Sequence, residues 1–276
     1  MNKKIGFILA LVLISLMVVG TASAGLFDFL GGGDTNKVAN NDSVFIVGFD
    51  AEFPPYGYMD DNGSYTGFDL DLAKEVCERN NWSFVAQPID WDAKDAELDS
   101  GSIDCIWNGF TIDGRENDYL WSNPYFDNKQ IFVVKEDSGI NSIDDLKGKI
   151  VETQKDSSAL AALEGDNKTI ADSFKQLTQV ADYNTAFMDL ESGACDAIAM
   201  DIGVAEYDID NKNNTTVSFK ILDDYITTEK YGVGFKKGNT DLKDQVQATL
   251  DEMFKDGTVL KIAQKYGISE DALIQP

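Results

Sequence analysis

A guanidinium, a pair of serine hydroxyls and a few well-placed carboxylates are the groups in this chain best suited to hold a charged small molecule. Arg115 stands in Thr111-Ile-Asp-Gly-Arg115, just past a strand expected to end at Asn108-Gly109. Its planar fork matches a carboxylate and can bind one with two parallel hydrogen bonds, although the same residue serves equally well as a surface arginine. Thr111 adds a hydroxyl or amide donor. Ser157-Ser158 opens an apolar helical run directly behind another expected strand. Free amide groups and the positive end of a helix meet there, which suits an anion; plain helix capping by serine is the other reading. Asp201 closes a very apolar strand, where a carboxylate is costly to bury without a cationic partner. It is a candidate for an ammonium group, or a cap for a helix starting near Ile202. Phe53 and Trp91 follow strands and could sandwich an apolar stem or simply join the core. Asp50, at the end of the first strand, can reach the far end of a ligand side chain.

The composition narrows this chemistry. The chain has 276 residues and no histidine. That removes Ser–His and Cys–His nucleophile pairs, His-ligated zinc and an imidazole proton shuttle. Lys and Arg total 23 against 48 Asp and Glu, a net charge of −25, so no nucleic-acid partner is expected: such a partner requires a basic face. No metal or cofactor is expected either. What remains is carboxylate chemistry or binding without chemistry, and no pair of carboxylates is visibly set for acid–base work. A carboxylate-binding site and an ammonium-binding site facing one cleft would describe an α-amino acid.

The elements that must position these groups alternate. Val44–Phe49 reads as a buried strand, and Asp69–Asn80 as a helix with Leu70, Leu72, Ala73, Val76 and Cys77 on its apolar face. Strands are expected near Ser83–Gln87, Asp104–Trp107, Gln130–Val134, Lys149–Thr153 and Asp196–Met200. Helices are expected near Ala93–Leu98, Ser157–Leu163, Thr169–Phe174, Thr185–Leu190, Asp241–Lys255 and Val259–Tyr266. Alternation of this kind implies parallel sheets in an α/β fold. One stretch echoes another: Leu98-Asp-Ser-Gly101-Ser-Ile-Asp104 resembles Leu190-Glu-Ser-Gly193-Ala-Cys-Asp196. The echo is either a common helix–strand turn met twice or the mark of two lobes of similar design. In the second case, strand ends facing each other would form a cleft.

Upstream, Lys3 and Lys4 precede the apolar run Ile5–Val19 and then Ala22-Ser23-Ala24. Residues 1–24 read as a secretory signal peptide, with an uncleaved anchor as the rival, and 25–42 as a flexible leader. The expected location is therefore exported, periplasmic or otherwise extracytoplasmic, with at most an N-terminal tether. Cys77, Cys105 and Cys195 lack CxxC spacing and lie in apolar stretches, so buried free thiols are expected; a Cys77–Cys105 disulfide is the alternative.

Gly67-Phe-Asp69-Leu-Asp71-Leu72-Ala-Lys-Glu-Val76-Cys77 resembles the signature of the extracellular solute-binding proteins of polar amino-acid ABC transporters. Asp50-x-x-Phe53-x-Pro55, Gly109-Phe-Thr111, Arg115, Trp121-Ser122-x-Pro124-Tyr125 and Asp196 to Asp201 extend the likeness from about Val44 to Gly267. The resemblance implies a bilobed α/β Venus flytrap of the periplasmic-binding-protein type with two hinge crossovers. Lobe one would comprise residues 43–124 and 231–276, lobe two 130–225, and the hinge 125–129 and 226–230. It implies that Arg115, Thr111 and Ser158 hold an α-carboxylate, while the Gly109 carbonyl, Thr111 and Asp201 hold an α-ammonium. Phe53 and Trp91 fall at stacking positions, and Asp50, Asn108 and Gln154 where side-chain selectivity is set. The implied partners are an amino acid and membrane permease subunits, the implied state a monomer. A dehydratase-like enzyme on the same fold and an exported sensor are the competing readings. The chain departs from the pattern in the spacing from Gly109 to Arg115, which is one residue shorter than usual. It departs also at Asp156, where many relatives have Gly; Asp there is expected to add negative charge beside the carboxylate site. The lipid-anchor cysteine of Gram-positive relatives is missing.

Overall fold

The computed structural model describes residues 43–212 and 217–275. The signal segment and leader read at 1–24 and 25–42 lie outside the described residues. Strand β1 (Val44–Phe49) leads into a small antiparallel sheet of β2 (Glu52–Phe53), β3 (Gly57–Met59) and β4 (Tyr65–Thr66). Helix α1 (Phe68–Asn80) buries the apolar stripe expected of it and places Asp69 and Asp71 at its positive end. It stops at Asn81, whose left-handed backbone (φ 56°) suits Asn better than most residues. Then come β5 (Ser83–Pro88), α2 (Lys94–Ser100), β6 (Cys105–Ile106) and β7 (Leu120–Trp121).

The ten-residue β8 (Phe126–Lys135) carries the chain into a second set of elements. These are β9 (Ile150–Gln154), α3 (Ser158–Glu164), α4 (Lys168–Ala171), β10 (Gln176–Val180), α5 (Tyr183–Ser192), β11 (Ala197–Asp201) and α6 (Ile202–Lys212). The long β12 (Phe219–Tyr231) brings the chain back, and β13 (Gly234–Phe235), α7 (Thr240–Lys255) and α8 (Thr258–Lys265) follow.

Two five-stranded sheets result, in the orders β5-β1-β6-β13-β7 and β10-β9-β11-β8-β12. The expectation of parallel sheets requires correction, because both are mixed. β1 lies parallel to β5 and β6, and β9 parallel to β10 and β11. β13 instead runs antiparallel to β6 and β7, and β8 antiparallel to β11 and β12. Strands that cross from one sheet to the other arrive without a preceding helical crossover, so nothing forces them into the parallel sense. The segments expected as crossovers, 125–129 and 226–230, fall largely within β8 and β12, which pair with Phe126 opposite Tyr231 and Asn128 opposite Glu229.

The sequence echo has a structural counterpart. Gly101 (φ 78°) and Gly193 (φ 83°) both end helices in the left-handed conformation. Asp104 then accepts a hydrogen bond from the Ile46 amide of β1, and Asp196 one from the Ile150 amide of β9, each at 2.8 Å. In both sheets the same aspartate ties a helix–strand turn to the neighbouring parallel strand. Asp196→Ala is expected to destabilise the protein by about 1–2 kcal/mol by orphaning that amide, with ligand affinity little changed. Urea denaturation alongside a binding titration checks both halves. Cys77, Cys105 and Cys195 are buried free thiols.

Candidate ligand-binding site

The residues beyond the end of β6 are held from below by the first turn of α1. Asp69 is fully buried and accepts hydrogen bonds from the Gly109 amide (2.6 Å) and the Tyr125 hydroxyl (2.8 Å). Burial pushes its carboxyl up to about 7, and those two bonds pull against the rise. Gly109 has φ 54°, and a Cβ there would lie 2.7 Å from the Phe53 ring. Glycine therefore lets the backbone turn left-handed with an aromatic face pressed on it. Asn108 is buried against Gly57, its Oδ1 without a hydrogen-bond partner among the described residues.

Arg115 reaches from this loop to the turn between β9 and α3. Its Nη1 donates to the Thr111 carbonyl (3.4 Å) and Nη2 to the Asp156 carbonyl (3.0 Å), and its guanidinium lies 5.4 Å from the Phe110 ring. Asp156 has the left-handed backbone (φ 54°) that glycine would adopt freely. The charge expected from it beside the carboxylate site is neutralised, because its carboxylate pairs with Lys94, a side chain only 2 % exposed. Lys94 also lies over the Trp91 ring at 5.2 Å, while Trp91 stands edge-on to Phe110 at 5.4 Å. Ser157 caps α3 by accepting from the Leu160 amide, which leaves the Ser158 hydroxyl free to face β8 and β12.

Asp50 and Gln154 meet across the two sheets. Gln154 Nε2 donates to Asp50 Oδ2 at 2.5 Å, and the Glu52 amide donates to Oδ1 at 2.8 Å. Desolvation is the largest cause lifting the Asp50 carboxyl to about 6. Asp50 and Trp91 line a cleft of about 610 Å³ shared by Glu52, Asp90, Asp92, Glu97 and Asp182, with Lys155 as its one basic side chain.

The densest polar cluster was not among the residues expected from the sequence, Asp201, Thr111 and Ser158 apart. Glu229 Oε1 accepts from Thr111 Oγ1 (2.9 Å), Ser158 Oγ (3.1 Å), Asn128 Nδ2 (2.8 Å) and Gln130 Nε2 (2.8 Å). Asp201 Oδ1 accepts from the same Asn128 and Gln130 nitrogens at 2.7 Å and from the Tyr231 hydroxyl at 2.6 Å. Asp201 is buried at the last position of the wholly buried β11, and its carboxyl is pushed up to about 8, first by desolvation and then by the charge of Glu229. The signal for the missing members was the placement of Asn128 and Gln130 at alternate positions of β8, both facing inward.

The expected residues thus gather in linked pairs. Thr111, Ser158 and Asp201 share the Glu229 cluster, while Arg115 bonds the backbone carbonyl of Thr111 and lines a separate cavity with Lys94, Asp118, Tyr119 and Asp156. Phe53 lies on Gly109, Asp50 bonds Gln154, and Trp91 shares the acidic cleft with Asp50. Asn108 stands against Gly57, outside the hydrogen-bonded groups described here.

Asp50, Asp69 and Asp201 all hold their protons more tightly folded than unfolded, with values near 6, 7 and 8 against an ordinary 3.8. Their contribution to stability is therefore full below about pH 4 and is lost as pH rises through these values. The ligand-free protein is expected to melt roughly 5 °C or more higher at pH 5 than at pH 8. Scanning calorimetry across that range tests the sign; a melting temperature that climbs toward pH 8 contradicts it.

Two mixed α/β sheets, joined by paired crossover strands with a polar cleft between them, define a bilobed ligand-binding protein. The chain belongs to the bacterial extracellular solute-binding proteins, family 3, whose pattern it matches over residues 45–269. It is 31% identical over 264 residues to the L-cystine-binding protein TcyJ of Escherichia coli, covering 92% of this chain and 94% of that one. Its fold is similar to an ABC uptake transporter substrate-binding protein from Streptococcus pneumoniae with bound histidine. That match has TM-score 0.80 and 33% identity, with 85% of this chain and 95% of the other covered. It also resembles an ancestral arginine-binding protein bound to arginine, with TM-score 0.74, 35% identity and coverage of 81% and 98%.

Proposed function

We propose that the protein is the extracytoplasmic binding component of an amino-acid ABC transporter, capturing a polar amino acid between its lobes for delivery to a membrane permease. The observation that carries this reading is the cluster in which Thr111, Ser158 and Asp201 gather around Asn128, Gln130 and Glu229, with the Arg115 guanidinium bonded to the backbone carbonyl of Thr111 beside it. Arg115, Thr111 and Ser158 hold the ligand's α-carboxylate; Asp201, the Gly109 carbonyl and Thr111 hold its α-ammonium. Phe53 and Trp91 flank the stem, and Asp50, Asn108 and Gln154 meet the side chain. The acidic cleft around Asp50 favours a basic or neutral polar side chain over an acidic one. The relatives described with cystine, histidine and arginine support that range.

Binding and closure are one event. Contacts that exist only with both lobes engaged stabilise the shut form, and roughly a 10⁴-fold preference swings such a pair from mostly open to mostly shut. Charge-assisted hydrogen bonds at both ends of a zwitterion are strong enough to supply it. The bending sites are the paired strands β8 and β12 at 125–129 and 226–230. The ligand leaves unaltered, and mass spectrometry after prolonged incubation is expected to recover it intact.

A thermal-shift panel of the twenty amino acids and cystine tests the function, since a ligand that binds only the native form raises its melting temperature. The expected result is a rise of several degrees with one or a few polar or basic members. No shift with any of them at millimolar concentration removes the reading.

A further inference from the structure

We infer that Glu229 is a second carboxylate for the ligand's α-ammonium, so that the amino group docks between Asp201 and Glu229 and displaces one proton from the pair. The inference rests on the amino-acid-binding reading and adds to it a residue and a proton.

The geometry brings the two acids together. A single nitrogen of Asn128 donates to both Asp201 Oδ1 and Glu229 Oε1, and a single nitrogen of Gln130 does the same, at 2.7 and 2.8 Å in each case. The two oxygens are therefore no farther apart than two hydrogen bonds meeting at one atom. Every other donor to them is a neutral hydroxyl: Thr111 and Ser158 for Glu229, Tyr231 for Asp201. Among the described residues neither acid accepts from a lysine or arginine. Asn128 Oδ1 and Gln130 Oε1, both buried, have no hydrogen-bond partner among the described residues. The cluster is thus rich in acceptors and short of a cation with several N–H groups, and an alkylammonium has three.

Charge accounting gives the proton. Two buried carboxylates this close do not both ionise without a compensating cation, so the ligand-free pair keeps one proton and one negative charge. An arriving ammonium supplies the positive charge, the carboxyl proton passes to bulk water, and two carboxylates with one ammonium again total one negative charge. The other titratable groups facing the pair are Tyr231 on β12, Tyr183 on α5 and Tyr56 beyond β2, all held protonated by burial. Asp69 and Glu206 act on Tyr56, and Asp69 is engaged by Gly109 and Tyr125. Arg115 bonds the Thr111 carbonyl rather than either acid.

The rival role is also geometric. Glu229 occupies the hydroxyls of Thr111 and Ser158, so it could stand where the ligand's own carboxylate must go and compete with it. Isothermal titration separates the two. L-Arginine, L-glutamine, L-histidine and L-cystine are titrated into the purified protein at neutral pH in buffers of different ionisation enthalpy. For whichever binds, the wild type is expected to release about one proton, corrected for the ligand's own ionisation, and to bind more tightly as pH rises from about 6 to 8. Glu229→Gln is expected to bind about tenfold more weakly and to release less than half a proton, while melting cooperatively. Equal or tighter binding by Glu229→Gln, or no proton release by the wild type, overturns the role assigned to Glu229 and leaves the transport reading standing. If the wild type binds none of the four, the titration uses whichever member of the twenty-one-compound panel raises the melting temperature; if none does, both readings fall. Absence of proton release by the wild type overturns the inference even if the variant does not fold; release by the wild type supports it only together with the loss of release in Glu229→Gln, since Asp201 alone could supply that proton.

Discussion

Arg115→Ala is expected to weaken amino-acid binding at least about 100-fold, or roughly 3 kcal/mol, without unfolding the protein. A carboxylate brought against this guanidinium gives up its water, and the planar fork compensates it with a paired set of hydrogen bonds. Two features place Arg115 for the task. Its head spans from the Thr111 carbonyl to the Asp156 carbonyl, and it lies near the Phe110 ring. Stability depends on it less, because the contact that fixes its loop is made by its backbone: the Arg115 carbonyl accepts from Trp121 Nε1 at 3.0 Å. Arg115→Lys keeps the charge but not the fork and should recover only part of the loss. Calorimetric titration with matching circular dichroism checks the claim. Near-normal affinity in Arg115→Ala would place the ligand's carboxylate elsewhere.

How much of this could be read from residues alone depended on whether an element keeps a regular period. Helix α1 did, because Leu70, Leu72, Ala73, Val76 and Cys77 repeat at helical spacing between an acidic start and an Asn stop. β1 and β11 did as well, being short runs of mostly buried apolar residues. β12 did not. Its register shifts between Ile221 and Tyr225 and again before Thr227, so its buried positions Phe219, Leu222, Ile226 and Glu229 do not follow a period of two, and Asp223 and Asp224 interrupt it. β13 is two residues long and carries no period at all, while the equally short β6 lies inside the apolar run expected as a strand near Asp104–Trp107.

The site divided along the same line. Arg115, Thr111, Ser158 and Asp201 stand at or just past the ends of regular elements, where a charged or hydroxyl side chain is conspicuous. Asn128 and Glu229 lie in stretches read only as crossovers. They are about a hundred residues apart in the chain, and their meeting follows from one antiparallel register, Asn128 opposite Glu229, that no local pattern specifies. Lys94 was hidden differently. It sits on a short acidic helix, and its buried charge is met by Asp156, which follows β9 of the other five-stranded sheet.

Asp201→Asn is expected to cut amino-acid affinity by two to three orders of magnitude while leaving the ligand-free protein as stable as before, or more so. The two effects have one cause. In the bound state the carboxylate faces an ammonium, and removing one partner of a buried ion pair costs about 3–5 kcal/mol because the other charge is left uncompensated. In the ligand-free state the same carboxylate is a burden, with its proton retained to about 8 by desolvation and by Glu229. The substituted amide can turn its oxygen to the donors Tyr231, Asn128 and Gln130 that Asp201 Oδ1 now serves, so the fold loses little. The fall in melting temperature between pH 5 and pH 8 should become shallower in this variant, because one of the three raised carboxyls is gone. Affinity and the pH slope are measured separately, by titration and by calorimetry. A variant that binds as the wild type does and melts with an unchanged slope would make Asp201 a helix cap with no part in holding the ligand.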